Sequence, residues 1–93
     1  MSENLFDLNG DVAVVIGATG TLGGVCAVAM AKAGAKVAVA GRNAERGEAR
    51  VGEITEAGGQ AQFFACEAMD PASLASCHEA VGQALGPPTV LLN

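Results

Sequence analysis

Apolar side chains fall along the chain in short runs, divided by glycine and polar residues. Val12–Ile16 is an unbroken apolar run rich in β-branched residues, as expected of a parallel strand covered on both faces. Residues 22–33 read as a helix built from Val25, Cys26, Val28, Ala29, Met30 and Ala31, with Lys32 as its single charge. A helix apolar nearly all round is expected to lie buried between layers, and Gly34 is placed to cap its end. Residues 36–40 form a second short apolar run, ended by Gly41-Arg42-Asn43. A charged helix follows over residues 44–57, with Val51 and Ile54 on its inner stripe. Glu45, Arg46, Glu48, Arg50, Glu53 and Glu56 are expected to face water. Gly58-Gly59 stops it, and residues 61–65 are the third strand. Asp70 at the N-cap and Pro71 at the first helical position start another helix. Leu74, Cys77, Val81 and Leu85 then recur at helical spacing before Gly86-Pro87-Pro88. Residues 89–92 are the fourth strand. Ahead of all this, Phe6 and Leu8 are expected to pack under the sheet edge, and Asn9-Gly10-Asp11 to turn.

Strands alternating with helices as β-α-β-α-β-α-β imply an α/β fold with a parallel sheet. Right-handed crossovers put strand two beside strand one and strand three outside it. In a doubly wound sheet strand four returns to the other side of strand one, so the expected order is 3-2-1-4. The ligand crevice then lies at the carboxyl ends of strands one and four.

The turn that opens on that crevice carries Gly17, Gly20 and Gly23 between the first strand and the first helix. Glycines there supply positive φ, let backbone N–H groups approach an anion, and allow close contact of helix and strand. The helix N-terminus adds its free N–H groups and dipole. The turn therefore fits the pyrophosphate of a dinucleotide; a glycine-rich β-to-α connection with no ligand is the other reading. NAD-binding domains commonly place an acidic residue at the end of strand two, about 20 residues past the glycine turn, to hold the ribose 2′-hydroxyl. Gly41-Arg42 fills that place here. A carboxylate would repel a 2′-phosphate, whereas a guanidinium forms charge-assisted bonds with it. The pattern favours NADP over NAD, with Arg42 as a plain exposed cation the alternative. Asn43 suits the site and also suits the N-cap of the next helix.

Composition narrows the reading further. Ninety-three residues make one small domain, burying only roughly 60–68% of its unfolded surface. With no Trp or Tyr and three Phe, the core must come from Val, Ala, Leu and Ile. Five basic against ten acidic residues give a net charge of −5, which argues against general binding of nucleic acid or anionic membranes. Cys26, Cys66 and Cys77 are scattered, and His78 is the only histidine. Neither a metal site nor a disulfide framework is expected, and the default is reduced thiols in the cytoplasm. The N-terminus has no secretory pattern and no run reaches membrane-spanning length. Ser73, Ser76 and His78 share a helix but lack an oriented acid partner, and His78 is expected at the surface or a rim. Gly20-Thr21 is not a Walker loop, since no Lys-Ser/Thr pair follows.

With these motifs in this order, the chain resembles the short-chain dehydrogenase/reductase family along its whole length. Phe6-Asp7-Leu8-Asn9-Gly10 looks like the family's opening, and Gly17 to Gly23 like its cofactor loop. Ala65-Cys66-Glu67-Ala68-Met69-Asp70 looks like the segment that lies along the adenine, and Val90-Leu91-Leu92-Asn93 like the strand entering its Asn-Ala-Gly motif. The resemblance implies a truncated, three-layer Rossmann-type domain over residues 1–93. Its cofactor contacts would come from Gly17, Thr19, Gly20, Thr21, Leu22, Gly23, Glu67, Ala68 and Asn93, beside Arg42 and Asn43. The family's commonest loop has its second glycine where Thr21 stands; here it is Gly20, a spacing also seen in epimerase-like members. Glu67 stands where the family usually has Asp. The family's catalytic Ser, Tyr and Lys lie beyond strand four, and this chain has no Tyr.

Three functions are open at this point. The chain is the NADP-binding half of a short-chain oxidoreductase and inactive alone, or a non-enzymatic dinucleotide-binding module, or a structural piece that associates with itself. Residues 90–92 would form an open apolar edge, so a homo-oligomer joined near strand four is expected.

Overall fold

The computed structural model describes residues 8–17 and 21–92. Its elements are β1 (Val12–Ile16), α1 (Thr21–Lys32), β2 (Lys36–Gly41), α2 (Ala44–Glu56), β3 (Gln60–Ala65), α3 (Pro71–Ala84) and β4 (Val90–Leu92). All pairings are parallel and the order is β3-β2-β1-β4. The chain thus forms the expected Rossmann-type sheet, with the direction of winding reversing at β1.

The alternation along the central strands divides the core in two. Ala13 and Val15 of β1 join Val37 and Val39 of β2 against Ala27 and Ala31 of α1 and Ile54 of α2. Val12, Val14, Ala38 and Ala40 point the other way, against Phe64, Cys66 and the Cys77 and Val81 of α3. Side chains of successive strand residues face opposite sides of a sheet, so five consecutive apolar residues serve two cores. Leu8 packs against the first cluster, and its N–H donates to the Ala33 carbonyl at 2.8 Å. Phe6 lies outside the described residues.

Local chemistry sets the helix ends. Asn43 Oδ1 accepts from the Arg46 N–H at 2.9 Å, and Asp70 Oδ1 from the Ala72 N–H at 3.0 Å. Pro71 opens α3 as expected. Several bounds move by one residue. β2 runs on to Gly41, which pairs with Ala65. β4 starts at Val90 because Thr89 is occupied as a latch: its N–H donates to the Val12 carbonyl at 2.9 Å and its Oγ1 accepts from the Val12 N–H at 3.0 Å.

Two expectations need correction. α1 is not buried all round, since Val25 is 61% exposed; among the described residues only the sheet and α2 cover it, which accounts for buried Gly24, Ala27 and Ala31 on one side. Arg50 does not face water freely. Its side chain is 21% exposed, lies over Gly24 of α1 and pairs with Glu53 at 2.7 Å. A long cationic side chain can cover apolar surface with its stem in this way.

The inner stripe of α2 has a member the hydrophobic pattern does not mark. Gly47 is buried in line with Val51 and Ile54, and a Cβ there would overlap the Phe63 ring of β3. Gly52, in the same helix, has no atom within 4 Å of an added Cβ. Alanine is the better helix former by about 1 kcal/mol, and overpacking costs about 1–3 kcal/mol. Gly52→Ala is therefore expected to raise the urea midpoint and Gly47→Ala to lower it. Shifts of equal sign would show that α2 does not sit on β3 at this distance.

Candidate nucleotide site at the strand ends

The carboxyl ends of β1, β2 and β3 lie side by side, and the residues after them form the candidate site. Gly17 leaves β1 with φ +87° and donates its N–H to the Ala40 carbonyl at 3.0 Å. That φ strains any L side chain, yet a Cβ at Gly17 would meet nothing within 4 Å. The glycine is required by the backbone, and among the described residues nothing fills the space beside it. Thr19 and Gly20 lie outside the described residues. The α1 backbone begins at Thr21, followed by Leu22 and Gly23, and its first turn carries no acidic residue. No carboxylate of that turn competes for its free N–H groups, as an anion site there needs.

At the next strand ends, Gly41 pairs with Ala65, and the Cys66 N–H donates to the Gly41 carbonyl at 2.9 Å. Closing β2 onto β3 this far brings Arg42 and Glu67 together. Arg42 Nη1 lies 3.4 Å from Glu67 Oε2, with the two side chains 79% and 40% exposed. Glu67 is held in turn: its N–H donates to Ser73 Oγ at 2.8 Å, its carbonyl accepts from the Asp70 N–H, and its Oε1 from the Met69 N–H at 3.4 Å. Ser73 thus positions a turn. Ala68 is exposed in that turn.

Arg42, Asn43, Ala44 and Arg46 line an open hollow of about 660 Å³. Asn43 does cap α2, with its Oδ1 accepting from the Arg46 N–H. Arg46 is exposed, as the charge pattern indicates, and the pattern alone did not mark it as lining this hollow. A cation in the first turn of a helix opposes the helix dipole. That local conflict is the signal that could have marked it. Asn93 lies outside the described residues.

Cys66 and Cys77 are buried and unpaired. Burial pushes the Cys77 thiol up to about 11, aided by charge repulsion from Cys66 and a hydrogen bond with it. It stays protonated at neutral pH, and a thiol is a poor nucleophile. His78 is exposed, at the lip of a mainly apolar hollow of about 370 Å³ between α3 and the sheet. Among the described residues no group of His, Cys, Asp and Glu could hold a metal ion, and no helix is long and apolar enough to cross a membrane.

Residues 11–93 match the sequence pattern of the short chain dehydrogenase family. The chain belongs to that family. D-threitol dehydrogenase of Mycolicibacterium smegmatis is 36% identical over 88 residues, which are 95% of this chain and 34% of that enzyme. The solved 7α-hydroxysteroid dehydrogenase complexed with NADH superposes on all of this chain with a TM-score of 0.94 and 30% identity, over 36% of its own length. A metagenomic short-chain oxidoreductase in complex with NADP covers 91% of this chain and 38% of its own, with a TM-score of 0.85 and 35% identity. The chain spans about a third of the length of the curated relatives it matches. Short-chain dehydrogenases are oxidoreductases that bind NAD or NADP, and a Rossmann sheet with its glycine turn at the β1 end suits either dinucleotide.

Proposed function

We propose that this chain is the NADP-binding portion of a short-chain oxidoreductase and binds the dinucleotide without turning substrate over on its own. The observation that carries the cofactor choice is Arg42, a 79% exposed guanidinium at the end of β2 where an NAD-selective domain would carry a carboxylate. Arg46 and Asn43 line the same hollow. A 2′-phosphate dianion would meet two guanidiniums there, and charge-assisted bonds of that kind are the strong ones. Likeness to solved relatives does not choose the cofactor, because one holds NADP and another NADH.

The diphosphate would lie against Gly17 and the α1 N-terminus, with Thr19, Gly20, Thr21, Leu22 and Gly23 completing the loop. Glu67 and Ala68 would border the adenine, and Asn93 the nicotinamide side. Once bound, the nicotinamide ring supplies or accepts the hydride. The chain's own residues bind and orient: the family's acid–base tyrosine is absent from these 93 residues, Ser73 is engaged with the Glu67 backbone, and the Cys77 thiol is protonated. The three free cysteines support a reducing compartment such as the cytoplasm.

A second copy of the chain is the proposed partner at the β4 edge. Among the described residues β4 is bonded only to β1, and Leu91 is 68% exposed. Open strand edges of this kind invite pairing.

Two measurements check these readings. Losing a charge-assisted bond is worth about 1.5–3 kcal/mol. In isothermal titration Arg42→Asp is therefore expected to weaken NADP roughly ten- to a hundredfold and NAD much less. Equal losses for both would contradict the phosphate contact. Size-exclusion with light scattering is expected to give a dimer or larger species, and a monomer at high concentration would remove the β4 contact.

A further inference from the structure

Arg42 is exposed but not unaccompanied. Its Nη1 already faces a carboxylate oxygen, Glu67 Oε2, at 3.4 Å. The pairing is built by the fold. Gly41 and Ala65 are in register, the Cys66 N–H continues the ladder to the Gly41 carbonyl, and the next residue on each strand end is Arg42 or one short step beyond it, Glu67. Three further contacts fix Glu67: Ser73 Oγ, the Asp70 N–H and the Met69 N–H. Two of these hold the Glu67 backbone and the third its Oε1, and with the Glu67 side chain 40% exposed against 79% for Arg42, the guanidinium is the partner freer to move. Arg46 lines the same hollow and has no ion pair among the described residues.

We infer that Glu67 stands in for the 2′-phosphate: it holds Arg42 when that phosphate is absent, and it sets how strongly the site prefers NADP. The inference rests on the cofactor reading above and deepens it. A 2′-phosphate brings close to two negative charges at neutral pH. To bond it, Arg42 must share or leave Glu67, and the carboxylate then sits beside a second anion with part of its counter-charge withdrawn. With NAD no such exchange occurs, and the Arg42–Glu67 pair persists. Glu67 therefore lowers the preference that Arg42 creates and lets the site accept either dinucleotide. Arg46, with no partner to give up, supplies attraction that Glu67 does not tax. Glu67 acts here as a positioning residue through Arg42.

The test is a cycle of four proteins, wild type, Glu67→Gln, Arg42→Ala and the double variant, each titrated calorimetrically with NADP and with NAD. The readout is the ratio of NADP to NAD affinity, which a general loss of folding would not change. Exposed ion pairs are worth a few tenths to about 1 kcal/mol, so Glu67→Gln is expected to raise the ratio roughly two- to fivefold in the wild-type background. Without Arg42 the same substitution is expected to move it by less than about twofold. An unchanged ratio on Glu67→Gln overturns the inference, and so does an equal rise in both backgrounds, which would make Glu67 a direct repeller of phosphate. The cofactor reading fails separately, if wild type shows no preference for NADP. A rise with Glu67→Gln from such a neutral start still supports the inference. Absence of binding to both dinucleotides removes both claims.

Discussion

Strand β1 is bonded on both edges and covered on both faces, and every other element takes its place from that. β2 pairs with every residue of β1 on one side, and β4 pairs through Ala13, Val14 and Val15 on the other. Val12 to Val15 are all at or below 5% exposure. A strand so enclosed must be apolar at successive positions, and it must leave the sheet sharply, since both neighbours occupy its flanks. Gly17 makes that exit at φ +87°. Because β2 and β4 leave β1 in opposite directions, the exit opens into a crevice rather than onto a covering helix. The position of the site is thus a consequence of how the sheet is wound.

The charge character of the site follows from a second enclosure. β2 and β3 remain paired to Gly41 and Ala65, the last residues of both strands. The first residues free of the ladder are then held within reach of each other, which is how a cation and a carboxylate 25 positions apart come to face at 3.4 Å. An exposed pair of this kind adds about 0.2–1 kcal/mol to stability at most, too little to explain it as a fastening of the fold. Its weight lies in what it does to an arriving anion. The α2 N-terminus, capped by Asn43, brings Arg46 to the same hollow. A strand end and a helix start line that hollow, and the turn held by Ser73 reaches it through the Glu67–Arg42 contact.

Much of this was legible in the sequence. The residues of β1 are read directly from the apolar run of residues 12–16, and the order 3-2-1-4 follows from alternation and handedness alone. Asp70-Pro71 marks the start of α3 because capping is local chemistry. The misreadings have a common cause, in that they depend on what lies opposite. Gly47 belongs to the core because Phe63 fills the space beside it. Arg50 leaves water because Gly24 on another helix provides a shelf. Arg46 is the surface charge that the pattern indicates, and what the pattern leaves out is the hollow it shares with Arg42. Arg42 was identified, but its partner was not, since the pairing depends on strand register between β2 and β3. Thr19, Gly20 and Asn93 belong to the same cofactor reading and lie outside the described residues.

The central claim is that the backbone around the β1 exit, together with the end of β2, receives a dinucleotide through its phosphates. Titration of the uniformly 15N-labelled protein with NADP, followed residue by residue in amide spectra, tests it most directly. The account predicts that the largest shifts fall on Gly17, on residues 21–24 at the start of α1, and on Arg42 and Asn43. Shifts confined to the hollow under α3, at Leu74, His78 and Leu91, with Gly17 and Arg42 silent, would contradict it.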